Sequence, residues 1–332
     1  MRNLAEWGKP PGLPVRHSCR VCLCTLLLLC AVVMTALPSS AAVHYVTVAG
    51  LGGEPDYEQR FTTLAKDLDK ILKGSGGDAK VHTLMGAEST RAKITDVMTQ
   101  VAKEVKSDDA FVLTLIGHGS YDGRDYKFNL KGPDVSGIEL AALCDRIPAT
   151  RQLIVNTTSA SHGSLPALQK PNRALIFSTK SGSERNATVF GRYWVEALRD
   201  TATDSDKNET ISALEAFRYA DQKTTGFYET QKRLATEHAV LEDTGQGDAV
   251  RAPSTENGQG KVASQFPLLR IGSAQRAAAD PAKRQLLDKK EQLEQQIDRL
   301  KYEKAALATD DYRKKLSALL VDLAQVQEEL DK

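Results

Sequence analysis

Six short runs of β-branched and apolar residues, Val43 to Ala49, Lys80 to Leu84, Ala110 to Ile116, Arg151 to Asn156, Arg173 to Ser178 and Pro267 to Ile271, alternate along the chain with stretches of helical periodicity. Runs this short and apolar suit strands buried on both faces, and parallel strands need crossovers long enough to hold a helix. The rhythm predicts an α/β domain with a mostly parallel sheet and helices on both faces. Phe61, Leu64, Leu68 and Leu72 set one helical stripe, and Ile94, Met98, Val101 and Val105 set the next. Ser136 followed by Glu139 makes a capping box for a helix carrying Leu140, Leu143 and Ile147, in which Cys144 is read as a packing residue. Leu241 to Ser264, rich in Gly, Asp and other polar residues, reads as a long surface loop that either borders an active site or is plain irregular surface.

The two ends differ from this middle. Residues 283–332 contain no Gly or Pro and carry Leu286, Leu293, Ile297, Leu300 and Leu307 at heptad-like spacing. Ala308-Thr309-Asp310-Asp311 interrupts the stripe, with Thr309 as N-cap of a second helix bearing Leu316, Leu320, Leu323, Val326 and Leu330. A helical hairpin or coiled coil is expected, and each apolar face requires a cover: the other helix, the domain, or a second copy. At the other end, Arg16, His17 and Arg20 precede the apolar run Val21 to Leu37 and the small-x-small site Ser40-Ala41-Ala42, so residues 1–42 read as a signal peptide. The expected mature protein starts near Val43 and is periplasmic or secreted, with no membrane contact after cleavage. Cys19, Cys22, Cys24 and Cys30 leave with the signal, so Cys144 has no intrachain disulfide partner. A net charge of +1 supplies no field for nucleic acid. The layout is therefore a signal at 1–42, one domain at 43–275 and the helical hairpin or coiled coil at 283–332.

Open α/β sheets bind ligands at the carboxyl ends of their strands. There, Phe111 to Ile116 runs into Gly117-His118-Gly119, and Leu153 to Asn156 runs into Thr157-Thr158-Ser159-Ala160-Ser161-His162-Gly163. An imidazole between two glycines at a strand end faces a cleft, beside a Gly119 amide able to meet an anion. Ile116-Gly117-His118-Gly119 and the Ser159 loop, with His118 and Ser159 41 positions apart, resemble the paired catalytic motifs of the caspase and legumain group of cysteine peptidases. The resemblance is closest to the legumain (asparaginyl endopeptidase) type and spans about Val43 to about Ile271, including the opening strand Tyr45-Val46-Thr47-Val48-Ala49-Gly50. It implies a caspase-like fold and a peptide or protein as substrate or ligand. It also implies His118 as general base and acid, Ser159 at the nucleophile position, and Gly119 as an oxyanion donor. In that group a Cys stands where Ser159 does, followed by one residue, Ser and Gly; here the run is Ser159-Ala160-Ser161-His162.

A thiol ionises readily beside an imidazole, whereas a serine must lose its proton during attack and needs a base oriented by a third group. No Asp or Glu can be assigned from the sequence to orient His118. Three readings of Ser159 stand: a degenerate peptidase that binds without cleaving, which is preferred; an active endopeptidase or serine hydrolase using a His118/Ser159 dyad; and a strand-end residue that caps a helix. Thr157, Thr158 and Ser161 are alternative hydroxyls, and His162 an alternative base. No Gly-x-Ser-x-Gly run supports a nucleophile elbow. The resemblance further implies a P1-binding residue soon after the first strand, at Arg60 for an Asp or Asn side chain or at Glu58 for Lys or Arg. Both also read as the solvated face of the first helix.

A second constellation, Asp204 to Glu215, follows the EF-hand loop pattern. The expected Ca2+ ligands are Asp204, Asp206, Asn208, the Thr210 carbonyl and Glu215, with Ile211 at the apolar position and helical patterns on either side. Glu209 stands where glycine makes the sharp turn, at a cost of roughly 1 kcal/mol or more. The competing reading is a polar turn with Thr210 or Ser212 as a cap. His44, His82 and His238 have no second ligand at zinc spacing and read as structural or surface residues.

Overall fold

Val43–Ala49 (β1) is buried from His44 onward, as its unbroken apolar and β-branched run requires. The computed structural model describes residues 41–75 and 79–332, so the signal at 1–42 lies, apart from its last two residues, outside the described residues. After β1 come α1 (Pro55–Gly74), β2 (Ala79–Leu84), α2 (Arg91–Glu104) and β3 (Ala110–Ile116). A small antiparallel sheet, β4 (Gly119–Tyr121), β5 (Tyr126–Phe128) and β6 (Val135–Ser136), then leads into α3 (Gly137–Asp145). The predicted Ser136–Glu139 capping box opens α3. Next are β7 (Arg151–Asn156), the short α4 (Leu165–Leu168), β8 (Arg173–Phe177), α5 (Phe190–Ala197), β9 (Thr210–Ser212) and α6 (Ala213–Thr230). The chain ends with β10 (Val240–Glu242), α7 (Lys261–Ser264), β11 (Pro267–Arg270), α8 (Gly272–Ala279), α9 (Pro281–Glu303) and α10 (Thr309–Asp331).

The main sheet runs β10-β8-β7-β3-β1-β2, with every pair parallel except β10 against β8. Alternate residues feed opposite faces. Tyr45, Val112, Val155 and Ile176 meet Leu68, Trp194 and Phe217 from α1, α5 and α6 on one side. Val46, Leu113, Ile154 and Leu175 meet Ile94, Met98 and Leu140 from α2 and α3 on the other. Cys144 lies wholly inside this second layer, where burial pushes its thiol up to about 12, as fits a packing role. Because β2 and β3 flank β1 on opposite sides, the strand order reverses between β1 and β3. That reversal opens a crevice at their carboxyl tips.

The sheet departs from the sequence reading at its edge. Pro267–Arg270 does not join the main sheet; it pairs with β9 in a separate antiparallel ribbon. The edge is taken by β10, which runs into the start of the segment read as a surface loop, where Leu241, Glu242 and Asp243 are buried. Three residues are too few to show a period, and their polar neighbours mask them.

At the carboxyl end, α9 lies against the domain. Arg270 of β11 donates to both carboxylate oxygens of Glu291, at 2.6 and 2.9 Å, and Tyr302 donates to Gln259 O. Antiparallel to α9, α10 returns with Val326 buried and Leu320 and Val321 exposed. Thr309 is the first helical residue of α10 rather than its cap; Ala308 holds the cap position and makes no side-chain bond there.

Candidate functional site

Gly117-His118-Gly119 leaves β3 beside the first turn of α1. The His118 ring sits edge-on to Tyr57 and Phe61, with centroids 4.8 and 5.0 Å away. It also hydrogen-bonds the Gly52 backbone. Gly52 in turn donates its N–H to Glu58 Oε2 at 2.9 Å. Only glycine fits at 52, since a Cβ there would lie 2.2 Å from Glu58 N. Glu58 thus holds the residue whose backbone the His118 ring meets, a link invisible in sequence because it runs through main-chain atoms. Burial, reinforced by the Arg60 charge, lowers the His118 pKa against the smaller opposing effects of Gly52 and Glu54. The ring is neutral at pH 7. Of the two P1 candidates, Glu58 is thus tied to Gly52, while exposed Arg60 lies over the Tyr57 ring, 5.2 Å from its centroid.

The tip of β7 has another character. Ser159 is 2% exposed; its Oγ donates to Gly119 O at 2.9 Å and accepts from Gly119 N at 3.1 Å. The neighbouring hydroxyls are engaged in the same way. Thr157 Oγ1 donates to Leu115 O at 2.8 Å, and Thr158 Oγ1 lies 2.7 Å from Tyr126 Oη. Ser161 Oγ lies 2.9 Å from Thr179 Oγ1 and accepts from Thr179 N. Gly119 is wedged among these groups: a Cβ would meet Ser159 O, Thr158 Oγ1 and Tyr126 Cε2, each at 2.6 Å. His118 and Ser159 therefore stand at adjacent strand tips, linked through the Gly119 main chain. The one proton of Ser159 Oγ points at Gly119 O. His162 lies edge-on to Phe177, 5.8 Å between centroids, and burial lowers its pKa.

Close by, Ala160 adopts a left-handed conformation (φ +53°) and donates its N–H to Glu184 O at 2.7 Å. The Glu184 side chain pairs with His238, Oε1 to Nδ1 at 2.5 Å. Its two members lie 54 positions apart, and no motif in the sequence marked the pair.

In the 204–215 loop, one carboxylate oxygen from each of Asp204, Asp206 and Glu215 lies within 4.8 Å of the others. Glu209 adopts φ +66°, the turn for which glycine was expected. Its carboxylate leaves the loop to accept from Ala274 N and from Ser273, so it serves the start of α8. Asn208 Oδ1 accepts from Thr210 N, and the Asn208 carbonyl accepts from Lys290 of α9 at 3.0 Å. Glu215 accepts from Ser205 N through Oε1 and completes a capping box with Ser212 through Oε2. Three hard carboxylate oxygens converging in a tight loop fit the donor chemistry of Ca2+. Ser212 also makes the cap that the competing reading required.

No family model matches the sequence, and no curated protein matches it. Solved structures align with parts of the chain. The Drosophila initiator caspase Dronc aligns at 10% identity over 64% of this chain and 82% of its own, with a TM-score of 0.42. Protein GSU0716 from Geobacter sulfurreducens aligns at 14% identity over 70% and 99%, with a TM-score of 0.43. Caspase-1 from Spodoptera frugiperda aligns at 14% identity over 61% and 86%, with a TM-score of 0.41.

Proposed function

We propose that this chain is an exported caspase-like peptidase homologue, of legumain type by its motifs, whose site no longer cleaves. In this reading the crevice at the tips of β1 and β3 holds a peptide or protein segment. The observation that carries it is the reciprocal pair of bonds between Ser159 Oγ and Gly119. A serine nucleophile must direct its proton to a base, and an oxyanion donor must point at open space. Here the hydroxyl proton goes to Gly119 O, and the Gly119 N–H goes to the hydroxyl oxygen. Each group required for chemistry is occupied by the other. A thiol is a weaker donor and acceptor and ionises more easily, so a cysteine would hold that lock less firmly.

The test is incubation of the mature protein with mixed peptide libraries and a serine-reactive phosphonate, beside Ser159→Ala and Ser159→Cys variants. The expected result is peptide retention without cleavage or labelling by the native protein, with any cleavage confined to the cysteine variant. Phosphonate labelling that vanishes in the alanine variant would establish the serine hydrolase instead.

We propose further that the 204–215 loop takes Ca2+ through Asp204, Asp206, Asn208, the Thr210 carbonyl and Glu215. The ion would offset the mutual repulsion of the three carboxylates and so stabilise the loop. The convergence of their oxygens supports this reading, and the αL conformation of Glu209 sets the affinity below that of a glycine-containing loop.

A further inference from the structure

Asp109 is a buried carboxylate, 4% exposed, placed where the chain enters the sheet. Its Oδ1 accepts from Ala42 N at 2.8 Å and its Oδ2 from Lys106 N at 2.8 Å. Among the described residues the ion-pair distance is met by His44 alone, Nε2 to Oδ2 at 3.4 Å. Burial lowers the His44 pKa, so this imidazole is neutral at pH 7 and brings no full charge to the carboxylate. A buried anion facing only neutral donors is costly, and a full cation nearby relieves that cost. The group placed to supply one is the nitrogen of Ala42. Ala42 is also the first residue held by the sheet, since its carbonyl accepts from Ala110 N at 2.9 Å, while Ala41 is exposed.

We infer that the export signal is removed between Ala41 and Ala42, and that the new α-ammonium of Ala42 forms an ion pair with the buried Asp109. The inference rests on the reading of residues 1–42 as a cleaved signal. It moves the mature start from Val43 to Ala42. The peptide bond is hydrolysed by an endopeptidase of the export machinery with one water: Ala41 leaves as a carboxylate and Ala42 keeps the nitrogen as an ammonium. Both cuts obey the small-x-small rule, one with Ser39 and Ala41, the other with Ser40 and Ala42. A cut after Ala42 would discard both the N–H that meets Asp109 and the carbonyl that meets Ala110. A cut before it keeps both and adds the missing charge.

Expression of the full chain in an exporting host, followed by intact mass and N-terminal sequencing, reads the cut. Ala42 as first residue is expected, and Val43 or a later residue overturns the cut site. A chain recovered uncleaved overturns the export reading itself, a separate outcome. The ion pair is tested on protein that begins at Ala42, with the amine free or N-acetylated, in the native sequence and in Asp109→Asn. Acetylation should lower the melting temperature by several degrees in the native sequence and leave Asp109→Asn nearly unchanged. An equal effect in both, or none in either, overturns the ion pair.

Discussion

At the tip of β7 every hydroxyl from Thr157 to Ser161 meets a partner, whereas in the 204–215 loop three carboxylates converge on one another. Both regions lie at the ends of short strands and use short polar side chains. In the first, donors match acceptors, so the network holds the chain. In the second, three like charges meet under main-chain N–H donors, with the Lys207 and Lys290 ammonium groups held on the loop's own carbonyls, Asp204 O and Asn208 O. A polar constellation is thus read by its balance of donors and charges rather than by its residue types.

The comparison breaks first at Gly119. Gly119→Ala would drive a Cβ to 2.6 Å from both Ser159 O and Thr158 Oγ1, prying β3 from β7. A loss of about 3 kcal/mol is expected in urea unfolding, as for overpacking of a rigid interior. Native stability in that variant would mean that the two tips are not interlocked. The acidic loop gives the next largest effect. Ca2+ at about 100 times its dissociation constant should add about 2.7 kcal/mol of stability, seen as a raised melting temperature. Asp204→Ala combined with Glu215→Ala should abolish the increment. An unchanged melt in the native protein would remove the metal from the loop.

Ser159→Ala sharpens the contrast between a lock and a nucleophile. Removing the hydroxyl leaves Gly119 N and O buried without partners, for an expected loss of about 2 kcal/mol. A true nucleophile sits in a site tuned for reaction, and its replacement commonly costs no stability. Equal or higher stability in Ser159→Ala would therefore favour the hydrolase.

The sequence made the local parts of this picture legible. Periodicity marked β1, β2, β3, β7, β8 and their covering helices, the Gly-His-Gly run marked the tip of β3, and ligand spacing marked the acidic loop. What stayed hidden is non-local or carried by main-chain atoms. The lock between Gly119 and Ser159 spans 40 positions, the Glu184–His238 pair 54, and the Asp109 bond to Ala42 67. The Glu58 bond to Gly52 spans only 6 positions, but His118 lies far along the chain and meets Gly52 at a main-chain atom, which no side-chain pattern records. Three-residue β10 was masked by its polar neighbours, which also blurred the edge of the sheet.

The smallest effect separates the two strand tips by pH. His118 is held neutral by burial against Tyr57 and Phe61, so its folded pKa lies below the unfolded value of about 6.5. The unfolded chain then binds more protons as the pH drops, and this contribution to stability, complete above about pH 6.5, is lost on acidification. The pKa values of His44 and His162 are lowered too, so three rings pull native stability down on acidification, while burial raises Asp206 to about 6 and Glu237 and Glu294 to about 7 and these carboxyls act in the opposite direction. His118→Asn removes one of the three rings. Between about pH 7 and about pH 5 the variant's melting temperature, relative to that of the native protein, should rise as the pH falls. Ser159 carries no titratable group in this range, so Ser159→Ala should shift the whole curve down without changing its slope. Parallel curves for His118→Asn would show the ring as well solvated as in the unfolded chain and return the two tips to one class.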